Sequence, residues 1–282
     1  MNEINLPPLD VIAILHKFGI SPNKGLGQNF LVDEKILQTI VAEAGITRHD
    51  IVLEIGPGLG NLTRNLAVSA GKVVAVELDR KLFPALESTL KPFGNIQLIQ
   101  GDFLEINISD LFQEDGFLVV ANIPYYITSA VIRHLLEGRT KPRRIVLTVQ
   151  KEIAERICDT KKLSLLAVSI QVYGTPSVRM EIPAHAFYPV PNVDSAVVHI
   201  EVFPSPAIKN ENLEAFFKLA RAGFGQKRKT LRNSLSSGLH IPPAEFESIL
   251  TFTGIDPQRR AETLQISEWG KLTESYLAAR SR

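Results

Sequence analysis

Short apolar runs rich in β-branched residues recur through the first half of the chain, and segments with helical spacing separate them. The runs are Ile51–Ile55, Lys72–Glu77, Ile96–Gln100, Phe117–Ala121 and Ile145–Val149. Runs of this kind are typical of strands buried in a parallel sheet, and right-handed crossovers connect such strands. The pattern therefore predicts a doubly wound α/β sheet.

Two later runs, Ala167–Tyr173 and Ala196–Val202, have no long helix between them. We therefore expect an antiparallel pair of strands that closes the sheet. Residues 33–44 have helical spacing, with Asp33 as a candidate N-cap and Gly45 as a candidate end.

The chain beyond residue 203 has a different pattern, which begins with the linker-like Pro204-Ser205-Pro206. Helical spacing with polar outer faces occurs at Leu213–Phe224, Thr230–Leu235, Pro243–Phe252 and Ser267–Ala279. The length of 282 residues suits one large and one small domain. We therefore expect a large α/β domain at residues 1–203 and a small helical domain at residues 204–282.

The first predicted strand ends in a turn with three alternating glycines, Gly56, Gly58 and Gly60. Such glycines allow a sharp turn and leave no side chain between the backbone and a ligand. In open α/β sheets, nucleotide-like ligands bind at the carboxyl end of the first strand. The G-x-G-x-G spacing suits a compact nucleoside better than the pyrophosphate of a dinucleotide.

The following strand ends carry polar residues of fitting chemistry. Glu77 lies 21 residues after Gly56, the spacing and residue type that bind ribose hydroxyls in nucleotide folds. Gly101-Asp102-Phe103 combines an acid, which can bind an exocyclic amine, with an aromatic ring that can cover a base. Each feature alone also has a structural explanation, with Glu77 as a helix charge and Asp102 as a cap. Their succession favours a ligand site.

Composition and charge narrow the function classes. Hydrophobic residues make up 45% and charged residues 22% of the chain, as in soluble globular proteins, and no run approaches the roughly 18 apolar residues of a membrane span. The single Cys158 and the absence of a signal-peptide pattern lead us to expect a cytoplasmic protein. The six scattered histidines lack metal-ligand spacing, so we expect no metal.

Positive charge gathers near the C-terminal end. Residues 204–282 contain 12 Lys and Arg against 8 Asp and Glu, whereas the whole chain has a net charge of +1. The densest basic cluster contains Lys227, Arg228, Lys229 and Arg232. Such cations can bind RNA phosphates, although a solvated helix end explains a charge run equally well.

The motifs occur in an order that resembles a known family. They are Gly25–Leu31, the glycine turn, Glu77, Gly101-Asp102, Asn122–Tyr125, Ala186–Ser195 and Gln226–Asn233. Together they resemble the S-adenosylmethionine-dependent rRNA adenine N6-dimethyltransferases of the KsgA/RsmA type, from about residue 24 to residue 266. The resemblance implies a Rossmann-like S-adenosylmethionine-dependent methyltransferase fold, with a mostly parallel seven-stranded sheet and a small α-helical C-terminal domain.

The resemblance also implies roles for individual residues. Residues 21–31 would form a lid on the methyl donor, S-adenosyl-L-methionine. The implied donor-binding residues are Asn29, Leu31, Gly56, Gly58, Glu77, Asp102 and Asn122. The implied RNA-binding residues are Lys24, Lys227, Arg228, Lys229 and Arg232. The connection at residues 157–163, on the expected RNA side, is shorter than is usual in the family.

Asn122-Ile123-Pro124-Tyr125 has the chemistry that methylation of an adenine amine needs. Adenine N6 is a poor nucleophile, because its lone pair is delocalised into the ring. The side-chain oxygen of Asn122 and the Ile123 carbonyl can accept the two amine hydrogens and so localise that lone pair. Tyr125 can stack on the extruded base. By resemblance Phe187 would cover the other face, with core packing as its alternative role.

We therefore expect an enzyme that dimethylates two adjacent adenines in the 3′-terminal hairpin loop of 16S rRNA. Its partner would be the small ribosomal subunit or its precursor, with no membrane, and the enzyme would be a monomer. One alternative is a 23S rRNA adenine N6-methyltransferase of the antibiotic-resistance type. Others are a non-catalytic ribosome-assembly factor that binds RNA, and a DNA adenine methyltransferase.

Overall fold

The structure, a computed structural model, describes residues 6–280, and this part of the chain divides into two compact units. The first unit comprises the chain through Ala154 together with Ser177–Val202. The second comprises Glu155–Pro176 and the chain from Phe203 onward. The second unit resumes at Phe203, next to the predicted boundary at residue 204. It also contains Glu155–Pro176, which the predicted boundary places in the first domain.

The strands form a seven-stranded sheet and a separate two-stranded ribbon. They are β1 (Phe30–Leu31), β2 (Ile51–Ile55), β3 (Lys72–Glu77), β4 (Ile96–Gln100), β5 (Leu118–Asn122), β6 (Arg144–Gln150), β7 (Gly174–Ile182), β8 (Phe187–Tyr188) and β9 (Ser195–Val202). The order in the large sheet is β4-β3-β2-β5-β6-β9-β7, and β1 pairs with β8. The predicted Rossmann-like fold is confirmed.

The strands β4, β3, β2, β5 and β6 run parallel, and β9 runs antiparallel to β6. Four consecutive residues of β2, from Val52 to Ile55, are buried, as expected for a central strand covered on both faces. Because these strands are parallel, the residues that follow β2, β3, β4 and β5 meet at one edge of the sheet.

The helices of the first unit cover the sheet and are α1 (Val11–Lys17), α2 (Glu34–Ala44), α3 (Asn61–Ala67), α4 (Phe83–Leu90), α5 (Ile108–Leu111) and α6 (Thr128–Glu137). As the sequence indicates, Asp33 caps α2 by accepting hydrogen bonds from the backbone of Lys35 and Ile36, and Gly45 ends it in the left-handed conformation. Leu37 and Ile40 of this helix are fully buried against the sheet core.

The predicted strand at Ala167–Tyr173 is wrong. The segment forms a helix, α8 (Leu165–Gln171), which follows α7 (Lys151–Cys158). Ser164 caps α8 by accepting a hydrogen bond from the backbone of Ala167 at 3.1 Å. A short apolar run fits a buried helix as well as a buried strand, and the cap and the packing of α8 against the next helix decide between them. The strand that closes the sheet is instead β7.

The second unit is helical. After α8 it contains α9 (Leu213–Phe224), α10 (Leu231–Leu239), α11 (Pro243–Phe252) and α12 (Ile266–Arg280). Its core contains the fully buried Phe216, Phe246 and Trp269. Tyr173, just after α8, stacks on Phe217 with ring centroids 6.2 Å apart, which explains why this part of the chain belongs to the second unit. Among residues 6–280, no helix has both the length and the apolar character that crossing a membrane requires.

Candidate active site

A cleft opens in the first unit at the carboxyl ends of the parallel strands. It contains about 1040 Å³ of empty space, part of which is open to solvent. The predicted site residues in its lining are Asn29, Leu31, Gly56, Gly58, Glu77, Asp102, Asn122 and Tyr125.

The glycine turn after β2 has a backbone that other residues adopt rarely. The φ angles of Gly56, Gly58 and Gly60 are 70°, 62° and 89°. A Cβ atom on Gly58 would lie 3.0 Å from the ring of Phe30, so a larger residue would force that ring to shift. Glycine is therefore favoured here both by the backbone conformation and by the close approach of the lid strand β1.

Glu77 ends β3 and is held by the backbone. One carboxylate oxygen accepts a hydrogen bond from the Gly58 N–H at 3.0 Å, and the other accepts one from the Asp79 N–H at 2.8 Å. Burial raises the pKa of Glu77, whereas these backbone donors act to lower it. An ionised carboxylate can accept about four hydrogen bonds, so Glu77 is fixed in orientation and still able to accept from a ligand.

Asp102 lies after β4 and has a capping role as well as a position in the cleft. Its Oδ1 atom accepts a hydrogen bond from the backbone N–H of Leu104 at 2.9 Å. The structural explanation offered by the sequence therefore applies, and it does not exclude the ligand role. A carboxylate that accepts one hydrogen bond from the backbone can still accept another from an exocyclic amine.

The lid segment, residues 21–31, is hydrogen-bonded to two of the strand ends. The Asn122 side-chain amide donates to the Asn29 carbonyl at 3.1 Å, and the Gln28 amide donates to Asp79 at 2.8 Å. The hydrogen bond from Nδ2 to the lid fixes the orientation of the Asn122 side-chain amide. The Oδ1 atom of the same amide remains available as an acceptor. The lid thus orients the residue that we predict to be catalytic.

Tyr125 is oriented by a residue distant in the sequence. Its hydroxyl lies 2.7 Å from the Oγ atom of Ser195, which is fully buried at the start of β9. Burial raises the pKa of Tyr125. Ser195 had no predicted role, and its place at the end of the Ala186–Ser195 motif was the only signal in the sequence that could have suggested one.

Phe187 is not in the cleft. It is only 2% exposed and belongs to a hydrophobic cluster with Leu31, Leu37 and Ile40. The antiparallel pairing of β1 with β8 places Phe187 opposite Leu31. This register puts its ring in the core, so the structure supports the packing role of Phe187 and gives no support to base stacking.

The predicted RNA-binding cations lie outside the cleft lining. Lys24 is exposed on the lid. Lys227, Arg228 and Lys229 are exposed in the second unit, in the segment before α10. Arg232 is half-buried and pairs with Glu247 at 2.9 Å, so it is less available to a phosphate than its three neighbours.

Glu54 in β2 lines the cleft and had no predicted role. It is 1% exposed, and its Oε2 atom has no hydrogen-bond partner within the described chain. Burial raises the pKa of Glu54 to about 8, and the neighbouring charge of Glu77 acts in the same direction. The signal in the sequence was a single acid within an apolar strand.

We expect Glu54→Gln to change how stability depends on pH. As the pH rises from the ordinary pKa of 4.5 towards about 8, the unfolded chain loses the Glu54 proton while the folded protein keeps it. The folded state then binds more protons, so its free energy of unfolding falls across this window. As the pH rises across this window, the Tm of ligand-free Glu54→Gln should fall less than the Tm of the unmodified protein. The exposed Glu105→Gln is the control and should behave like the unmodified protein. Equal declines in Tm for the unmodified protein and both variants would contradict the raised pKa of Glu54.

The sheet, the glycine turn and the carboxylates at successive strand ends define a Rossmann-like methyltransferase. Solved structures agree with this class. The 23S rRNA methyltransferase ErmE matches with a TM-score of 0.71 and 29% identity, over 88% of this chain and 99% of that one. A dimethyladenosine transferase from Plasmodium falciparum matches with a TM-score of 0.74 and 25% identity, over 88% and 98%.

The family follows from the sequence comparisons. The family model described as ribosomal RNA adenine dimethylase matches residues 19–277. A protein named ribosomal RNA small subunit methyltransferase A from Dehalococcoides mccartyi (strain CBDB1) is 45% identical, over 93% of this chain and 91% of its own length. One of the same name from Pelotomaculum thermopropionicum is 43% identical, over 96% and 97%. The chain belongs to the ribosomal RNA adenine dimethylase family, as predicted, and is an rRNA adenine dimethyltransferase.

Proposed function

We propose that this protein uses S-adenosylmethionine to dimethylate N6 of two adjacent adenines in the 3′-terminal hairpin loop of 16S rRNA. The observation that carries the proposal is the cleft, which presents Asn122 together with Glu77 and Asp102. The choice of the small subunit is supported by identities of 43–45% to relatives named for it, against 29% to the 23S rRNA enzyme.

The residues present fit S-adenosylmethionine, which when bound would supply a methyl group activated by a positively charged sulfur. Glu77 would accept from the ribose hydroxyls, Asp102 would accept from the adenine amine, and the turn at Gly56 and Gly58 would let the ligand approach the backbone. The lining also contains buried polar atoms without a partner in the described chain, Glu54 Oε2 and Asn61 Oδ1. Each can form a hydrogen bond with a polar group of a bound ligand. Asn29 and Leu31 would close the site from the lid.

Asn122 and the Ile123 carbonyl would accept the two hydrogens of the target amine. This localises the N6 lone pair and aims it, which is the main requirement when the methyl group is already activated. Tyr125, fixed by Ser195, would stack on the extruded adenine. The proton can leave to water after transfer, so a strong general base is not needed.

The second unit would hold the RNA backbone. Lys227, Arg228 and Lys229 are exposed and close together in the chain, which suits contact with several phosphates. Lys24 on the lid would add a phosphate contact beside the site. We infer that the enzyme works as a cytoplasmic monomer on the small subunit or its precursor, where a loop offers unpaired bases that can be splayed out.

The choice of substrate can be tested with purified ribosomal subunits that lack these methyl groups. The protein is incubated with methyl-labelled S-adenosylmethionine and either the small or the large subunit, and the label in each rRNA is counted. We expect label in the small-subunit rRNA alone. Label in the large-subunit rRNA would favour the 23S-type enzyme, and absence of label with donor bound would favour a non-catalytic assembly factor.

A further inference from the structure

Tyr126 is an aromatic residue of the cleft without an assigned role. Its side chain lines the cleft and is nevertheless 63% exposed. The other rings of the lining are constrained, since Phe30 and Phe103 are buried and the hydroxyl of Tyr125 is held by Ser195. Among the rings of this lining in the described chain, Tyr126 is thus the one most exposed to solvent.

The backbone on both sides of Tyr126 is fixed. Tyr125–Ile127 form a 3₁₀ turn directly after Pro124, and the Thr128 hydroxyl donates to the Tyr125 carbonyl at 3.0 Å. In a 3₁₀ turn, successive side chains point about 120° apart, because there are roughly three residues per turn. Tyr125 and Tyr126 therefore point in different directions from one rigid turn, and only Tyr125 reaches the buried Ser195.

The lid covers an edge of the Tyr126 ring. A Cβ atom built on Gly27 would lie 3.5 Å from Cε1 of Tyr126 and 3.1 Å from Cβ of Pro124. Gly27 itself has a φ angle of 62°. The lid glycine thus packs beside the ring, which holds one edge in place, while the exposed fraction of 63% leaves most of the ring surface free.

We propose that Tyr126 stacks on the nucleotide next to the target adenine, so that the two tyrosines hold two neighbouring bases of single-stranded RNA. This inference rests on the proposed function. Proteins that bind single strands use aromatic rings on which successive bases stack, and each such contact strengthens binding. With two adjacent adenines as substrate, one base occupies the site at Asn122 while its neighbour is held at the mouth of the cleft.

The test compares Tyr126→Ala with Tyr126→Phe, which keeps the ring and removes the hydroxyl. Phe252→Ala is a matched control, because Phe252 is an aromatic residue that is 84% exposed in the second unit. We expect Tyr126→Ala to raise the KM for the RNA substrate by about 5- to 150-fold, which corresponds to the usual strength of one base–aromatic stack. Donor affinity, measured by titration calorimetry, should not change, and both Tyr126→Phe and Phe252→Ala should match the unmodified protein.

A second readout reports stacking without turnover. A 3′-terminal hairpin RNA carries 2-aminopurine beside the target adenine, and its fluorescence is measured at protein concentrations that saturate each variant. We expect quenching by the unmodified protein and by Tyr126→Phe, and markedly less quenching by Tyr126→Ala. Equal quenching by all variants would overturn the proposal. Weaker donor binding with unchanged KM for RNA would also overturn it, because Tyr126 would then serve the donor or the lid.

The two proposals fail in different ways. If the unmodified protein labels the large subunit, the proposed choice of substrate fails, and the stacking test can be repeated with that RNA. If the small subunit is labelled normally and Tyr126→Ala behaves like the unmodified protein, the stacking role fails alone.

Discussion

Asn122→Ala is expected to lower kcat for methyl transfer by at least about 100-fold. The variant removes the side-chain oxygen that accepts an amine hydrogen, and misplacement of a reacting group by about 1 Å alone has an effect of this size. It also removes the hydrogen bond from the Asn122 amide to the Asn29 carbonyl, which positions the lid. Single-turnover transfer at saturating donor and RNA measures the loss directly.

Binding measurements separate the catalytic role of Asn122 from a structural one. RNA affinity, by filter binding, should stay within a few-fold of that of the unmodified protein. The exposed Asn107, which caps α5, gives a matched variant, Asn107→Ala, that should leave kcat unchanged. Equal losses of RNA binding, donor binding and turnover in Asn122→Ala would mean that the residue holds the fold together instead.

Glu77→Ala is expected to weaken donor binding by about 10- to 150-fold, since hydrogen bonds to a charged group contribute roughly 1.5–3 kcal/mol. The carboxylate also fixes the Gly58 N–H, so its removal loosens the glycine turn. Glu77→Gln keeps one acceptor oxygen and should lose less. Titration calorimetry with S-adenosylmethionine gives both affinities, and an unchanged Kd in Glu77→Ala would remove the ribose role.

Much of the site could be predicted because a parallel sheet converts sequence order into spatial order. Gly56, Glu77, Asp102 and Asn122 each lie at the carboxyl end of a different strand, and the topology alone brings them to one edge. The apolar runs that identify those strands are long enough and regular enough to be read from the sequence. Once the fold was predicted, the residues at the strand ends could therefore be predicted to share one site.

The features that could not be predicted depend on tertiary packing, which the spacing of apolar residues along the chain does not indicate. Ala167–Tyr173 has the composition of a strand, and only the Ser164 cap and neighbouring helices make it helical. Phe187 is turned into the core by its pairing with Leu31, a register that local sequence does not specify. The bond between Tyr125 and Ser195 joins residues 70 positions apart. Family resemblance supplied the motifs but not these contacts.

The most direct test of the central claim is the identity of the product. Small subunits without the modification are incubated with the protein and S-adenosylmethionine, and nuclease fragments of their rRNA are analysed by mass spectrometry. We predict N6,N6-dimethyladenosine at two adjacent positions in the 3′-terminal hairpin loop, and none with Asn122→Ala. Methyl groups on another atom or outside this loop, or a product unaffected by Asn122→Ala, would contradict it.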